Sequence, residues 1–218
     1  MIFPKTYYFG HPMLEMIDTS TQQKNPLQQS IPITLLPGSR PQEFKLYFKI
    51  MLETLMVLKQ EFSNIAPTIC VSSPHFKPLI KKYLTNYPLL KCQTSTTSSI
   101  EEMKKSSLII SASGSATLEA VILKKPLIVL AALPPITYFI AKYILKINLP
   151  YYSLPNVISE TETVPEFVQS KMIPANIAKQ AKILIEDPKD QIKKYSHTIK
   201  CLTHSPNVYN KITKEILN

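Results

Sequence analysis

From Ile31 onward, short apolar runs alternate with stretches whose apolar residues recur at helical spacing, with turn-forming residues between the two. A run that is apolar throughout has no solvated face, so something must cover it on both sides. Helices lying between successive runs supply that cover, which makes the strands parallel. The spacing predicts strands at residues 31–36, 67–72, 89–94, 107–112 and 126–131. Helices are expected over 39–62, 76–84, 100–105, 117–123 and 135–147, with further pieces at 175–185, 189–201 and 208–217. Ser39 and Gln42 have the spacing of a capping box, with Pro41 in the first turn. The expected fold class is α/β, a parallel sheet with helices on both faces.

In such a sheet, ligands bind beyond the carboxyl ends of the strands. Two of the chain's three glycines fall there, Gly38 after the first run and Gly114 after the fourth. Average usage would place roughly fifteen glycines in a chain of this length. Arginine is scarcer still: Arg40 stands alone beside 24 lysines. In Pro37-Gly38-Ser39-Arg40, glycine lets the backbone turn sharply and arginine offers a planar fork of donors suited to phosphate. The competing reading is a surface loop with a salt bridge. Ser111-Ala112-Ser113-Gly114-Ser115 is small enough for a diphosphate to approach backbone N–H groups. Glu119, one turn into the next helix, points back toward the strand ends, where a carboxylate can accept ribose hydroxyls. The Walker lysine and the three-glycine dinucleotide pattern are both absent from the sequence.

A net charge of +10 raises nucleic acid as a partner, but the lysines are scattered in pairs and no block reaches five. No nucleic-acid partner is expected; a basic face meeting anionic lipid is compatible with the pattern. Cys70, Cys92 and Cys201 lack metal or redox spacing and are expected to be buried thiols of a reducing compartment. Residues 1–8 lack the apolar core and cleavage site of a signal peptide. Residues 127–149 are apolar enough to raise a membrane span, yet Pro134-Pro135, Lys142 and Lys146 interrupt them. They are expected to be a strand, a turn and an amphipathic helix.

Several motifs occur in a fixed order: Phe9-Gly10-His11-Pro12, Leu35-Leu36-Pro37-Gly38-Ser39-Arg40 with Glu43, and Ala112-Ser113-Gly114-Ser115-Ala116-Thr117-Leu118-Glu119. Thr137-Tyr138 with Ala141-Lys142, Ser153-Leu154-Pro155-Asn156 and Val164-Pro165-Glu166 follow. Together they resemble the C-terminal half of the lipid-A-disaccharide synthases, which are GT-B glycosyltransferases. The resemblance implies a Rossmann-like half that holds the UDP of a nucleotide sugar. The family transfers 2,3-diacylglucosamine from UDP-2,3-diacylglucosamine to 2,3-diacylglucosamine 1-phosphate with inversion, forming a β-1,6 disaccharide of lipid A. By resemblance, Arg40 serves as the catalytic group that stabilises phosphate charge. Gly38, Ser39, Ser113, Gly114 and Ser115 would line the diphosphate, Glu119 would hold the ribose, and Asn156 would reach the donor sugar or uracil. An equally open reading makes Asn156 a turn-former after proline. No metal or other cofactor is implied, because the UDP-sugar is substrate.

The same resemblance divides the chain into an inter-half linker at 1–30, a UDP-sugar-binding domain at 31–186, and C-terminal helices at 187–218. Those helices would pack back on the domain or toward the other half. Gly10 and His11 read as a hinge, with the imidazole bonded to backbone. The chain reads either as a fragment or as one piece of a split enzyme whose N-terminal half, with the acceptor pocket and general base, is a separately encoded partner; it is not expected to catalyse alone. Ala131-Ala132 replaces the tyrosine and basic residue usual after the Pro126 strand. The helix at 136–147 reads either as a core helix or as a peripheral contact on the inner face of a bacterial inner membrane, with the protein cytoplasmic. Two alternatives stand beside the transferase: a non-catalytic UDP-sugar-binding remnant, and another GT-B transferase using UDP-N-acetylglucosamine.

Overall fold

The computed structural model of the protein describes residues 8–19, 30–132, 149–203 and 208. The expected helix at 135–147, its Thr137-Tyr138 and Ala141-Lys142 motif, and the helix at 208–217 apart from Val208 lie outside the described residues. The elements are α1 (Met13–Met16), β1 (Ile31–Leu36), α2 (Pro41–Glu61), β2 (Ile65–Cys70), α3 (Lys77–Leu84), β3 (Gln93–Ser95), α4 (Ser99–Lys105), β4 (Leu108–Ala112), α5 (Ala116–Ile122) and β5 (Leu127–Ala131). After these come α6 (Leu154–Ser159), β6 (Glu166–Val168), α7 (Pro174–Glu186) and α8 (Lys189–Leu202). The six strands form one sheet in the order β3-β2-β1-β4-β5-β6, and every pair is parallel.

Alternation along the central strands sorts their side chains into two cores. Ile33, Leu35, Ile110, Ile128 and Leu130 face the layer of α2 and α7, where Phe44, Phe48, Met51, Leu52 and Leu55 meet Ile177, Ala181 and Leu184. Ile109, Leu127 and Val129 face the opposite layer, with Met103 of α4, Ala120 and Val121 of α5, and Tyr195 of α8. β4 and β5 are buried at every position, as double cover requires. Tyr195 donates its hydroxyl to the Lys125 carbonyl at 2.9 Å. Gln191 exchanges hydrogen bonds with both backbone groups of Leu127, at 3.0 and 2.7 Å, so α8 closes the second face at the start of β5.

Several expectations need correction. β2 begins two residues earlier than the spacing predicts. The strand expected at 89–94 is confined to β3 at Gln93–Ser95: Pro88–Leu90 is a 3-10 turn and Lys91 has φ +26. The capping box does not form, since Arg40 is the N-cap in extended backbone without a side-chain cap hydrogen bond. β6 and α6 have no counterpart among the expected elements. Of the three thiols expected to be buried, Cys70 is, Cys92 is half-buried and Cys201 is exposed. Among the described residues, no helix is long and apolar enough to cross a membrane.

Candidate functional site

β1 leads leftward to β2 and β3, while β4 leads rightward to β5 and β6. The loops after β1 and β4 therefore diverge, and a crevice opens between them at the carboxyl edge. A cleft of about 490 Å³ occupies this point. The loop after β1 gives it Gly38, Ser39 and Arg40; the loop after β4 gives it Ser113, Gly114 and Ser115. Six positions expected at the site thus share one cleft. Thr96 and Thr97 from the loop before α4, with Ser99 at its first turn, form a further wall.

The two glycines do different work. Gly38 has φ +96, a conformation that L side chains rarely adopt. Its carbonyl accepts from the Ser72 hydroxyl at 3.3 Å, tying the loops after β1 and β2 together. Gly114 has no positive φ, and a Cβ built there would meet nothing within 4 Å. Its missing side chain leaves open space for a ligand. The Gly114 carbonyl accepts from the Thr117 N–H at 3.1 Å and the Thr117 hydroxyl at 2.6 Å, which fixes the entry to α5.

Ser113 is already committed. Its N–H donates to the Leu130 carbonyl at 2.9 Å and its hydroxyl to the Tyr152 carbonyl at 2.8 Å. N–H contacts to an anion therefore fall to Gly114 and Ser115. Arg40 is 80% exposed at the cleft mouth, and its Nη1 donates to Glu43 Oε1 at 2.8 Å. That hydrogen bond and the charge of Glu43 raise its pKa. The surface salt bridge and the cleft position coexist, because a guanidinium carries five N–H donors.

Glu119 does not itself line the cleft. It is half-buried on α5, with Oε2 buried and without a hydrogen-bond partner. Burial raises its pKa, partly offset by a hydrogen bond from Ser99, which does line the cleft. Glu102, which the sequence reading missed, orders that wall: its Oε1 accepts from Ser95 Oγ at 3.1 Å and Thr97 Oγ1 at 3.2 Å. The Ser/Thr tract at 94–99 was the available signal, a hydroxyl-rich loop following a strand of the same sheet.

Asn156 corrects the expected sugar contact. It is fully buried. Its Nδ2 donates to the Val164 carbonyl and to Glu166 Oε1, while Oδ1 accepts from the Thr163 and Val164 N–H groups, all at 2.7–2.8 Å. Both amide protons and both carbonyl lone pairs are used, and the residue lies inside α6 rather than in a turn after proline. Gly10, at φ +113, and His11 are not among the cleft residues. His11 Nδ1 accepts from the Met13 N–H at 3.2 Å, and its own N–H donates to the Leu202 carbonyl at 3.0 Å. Tyr47 closes the other end of β5, its hydroxyl accepting from the Ala132 N–H at 2.7 Å.

Related proteins fit this arrangement. Residues 3–217 match the family described as lipid-A-disaccharide synthetase. The lipid-A-disaccharide synthase of Sulfurihydrogenibium sp. (strain YO3AOP1) is 32% identical over 198 residues, covering 84% of this chain and 50% of that protein. The Aquifex aeolicus (strain VF5) enzyme is 32% identical over 167 residues, covering 76% of this chain and 44% of its own length. The chain thus spans about half the length of these relatives. Among solved structures, a TarM mutant of S. aureus in complex with UDP matches with TM-score 0.59 at 12% identity, covering 92% of this chain and 37% of that one. UDP-GlcNAc 2-epimerase from Neisseria meningitidis, bound to UDP-GlcNAc, matches at TM-score 0.53 and 17% identity, covering 88% and 46%. The fold is therefore the Rossmann-like α/β half found in GT-B enzymes. With two of the ordered motifs meeting in one cleft and the family matched over residues 3–217, this chain belongs to the lipid-A-disaccharide synthases.

Proposed function

We propose that this chain is the donor-binding half of a lipid-A-disaccharide synthase, holding UDP-2,3-diacylglucosamine while its sugar passes to 2,3-diacylglucosamine 1-phosphate. The observation that carries the reading is the meeting of the Gly38–Arg40 and Ser113–Ser115 loops in one cleft at the β1/β4 switch point. In the reaction, the acceptor's 6-hydroxyl oxygen attacks the donor's anomeric carbon from the face opposite UDP. The carbon–oxygen bond to the diphosphate breaks with inversion, and its electron pair leaves on UDP. Arg40 and the N–H groups of Gly114 and Ser115 stabilise that developing charge. Glu119, which stands behind the cleft lining, is assigned the ribose hydroxyls by the family resemblance. The general base that takes the hydroxyl proton, and the acceptor pocket, are assigned to a partner half joined through a hinge at Gly10 and His11.

The acylated substrates make the cytoplasmic face of the inner membrane the natural place for this reaction. The chain's net charge of +10 suits anionic headgroups. Calorimetric titration with UDP tests the donor-site reading. Saturable one-site binding that weakens in Arg40→Ala and in Glu119→Ala is expected. No binding to the wild-type chain, or equal binding by both variants, overturns it.

A further inference from the structure

We propose that Glu166 is a positioning residue for the donor cleft, fixing Ser113 through the turn at 152–153 that enters α6; its effect on UDP rests on the reading above. Glu166 opens the edge strand β6, beside Val129 of β5. Its Oε2 accepts from the Tyr152 N–H at 2.9 Å. Its Oε1 accepts from the Ser153 N–H at 2.7 Å, the Ser153 hydroxyl at 2.6 Å and Asn156 Nδ2 at 2.7 Å. Four donors converge on one carboxylate, and no ion pair among the described residues includes it.

Three of these donors crowd Oε1 and one holds Oε2, so both oxygens are engaged by the fold. Glu166 is not among the cleft residues, so it is assigned no substrate contact. What it controls is a turn whose Tyr152 carbonyl receives the Ser113 hydroxyl at 2.8 Å. Ser113 stands between that bond and the one from its N–H to Leu130, and the next residue is the open Gly114 of the cleft. Asn156 completes the frame, binding the turn to the Thr163 and Val164 N–H groups that precede β6. Displacing the turn frees the Ser113 hydroxyl, and the glycine loop must then be ordered at the expense of binding.

The charge is required, not only the shape. Glutamine at 166 would have one acceptor oxygen and would aim an amide N–H₂ at N–H or O–H donors of the turn. Glu166→Gln is therefore expected to open the turn although it is nearly isosteric.

The test is a double-mutant cycle in the full chain, with UDP as the probe: Glu166→Gln, Ser113→Ala and the pair. Glu166→Gln should weaken UDP binding about fivefold or more, and Ser113→Ala should weaken it as well. The pair should bind no more weakly than the worse single variant, because both changes break one chain of contacts. Additive losses, or no loss in Glu166→Gln, overturn the proposal. Should Glu166→Gln fail to fold, Glu166→Asp takes its place in the cycle, keeping the charge on a shorter stem. Amide hydrogen exchange without ligand supplies an independent arm. In the variant the Tyr152, Ser153 and Ser113 amides should lose protection while those of Ile109 and Ile110 in β4 keep it; unchanged protection at Tyr152 and Ser153 overturns the proposal. If the wild-type chain binds no UDP, the donor-site reading fails, while the exchange pattern still decides the role of Glu166.

Discussion

Arg40 and Glu43 form an ion pair of 2.8 Å at the mouth of the cleft, so the chain's one arginine has a partner before any ligand arrives. The carboxylate lies one helical turn below and orients the guanidinium, whose remaining N–H groups stay open. Arg40→Ala should weaken UDP binding about tenfold or more, the scale of a charged hydrogen bond. Arg40→Lys should recover only part of the loss, since a point charge cannot hold Glu43 and a phosphate in one plane. Full recovery by lysine in calorimetry would reduce the role of Arg40 to plain charge.

Gly38 and Gly114 should respond oppositely to alanine. At Gly38 an added Cβ meets only ordinary contacts of 3.5 Å, but φ is +96. The loss is therefore backbone strain, about 1–2 kcal/mol of stability. At Gly114 nothing lies within 4 Å of an added Cβ, so stability should be unchanged while UDP binding falls. Urea denaturation and calorimetry on both variants separate the two effects.

What the sequence made legible follows burial. β4 and β5 are covered on both faces, and their unbroken apolar runs announce them. β3 and β6 are three-residue edge strands, too short and too exposed for any period to register. α6 begins with Leu154-Pro155, which reads as a turn until packing extends it. Within the site, Gly38, Arg40, Gly114 and Ser115 were legible because a turn or an anion demands particular residue types locally. Glu166 was legible only as part of Val164-Pro165-Glu166, not in its role, because its partners Tyr152 and Ser153 lie 14 and 13 positions away and meet it only once β6 joins the sheet. Asn156 was legible as a motif but not in its role, since saturation by Thr163, Val164 and Glu166 is a property of the fold.

The three thiols should separate by reactivity. Cys201 is exposed on α8, 3.9 Å from His197 Nε2. Burial pushes the Cys92 thiol up to about 11 and Cys70 up to about 12. Because the thiolate is the nucleophile, a disulfide reagent at pH 8 should label Cys201 first and Cys92 far more slowly. Cys70, largely buried at the cleft floor, should react slowest of the three. Mass mapping after short labelling checks the order, and early modification of Cys70 would contradict its burial at the end of β2.

Glu119 couples stability to pH in a direction opposite to that of a salt-bridged carboxylate. Burial raises its pKa above the ordinary 4.5, against a smaller lowering by Ser99. The folded state therefore holds this proton more tightly than the unfolded chain does. The stability this contributes is fully present below the unfolded pKa and is lost as pH rises through the raised folded value. Glu119→Gln removes the charge and should remain more stable than wild type at pH 7, with a flatter stability profile above pH 4.5. The same variant should bind UDP more weakly, because an amide offers fewer acceptor sites to ribose hydroxyls than a carboxylate. Greater stability with weaker binding is the pattern expected of a group held at a cost for its ligand. Urea melts across the acidic to neutral range, set beside calorimetry at pH 7, measure both halves. A variant less stable than wild type at neutral pH would mean that Oε2 is satisfied without ligand.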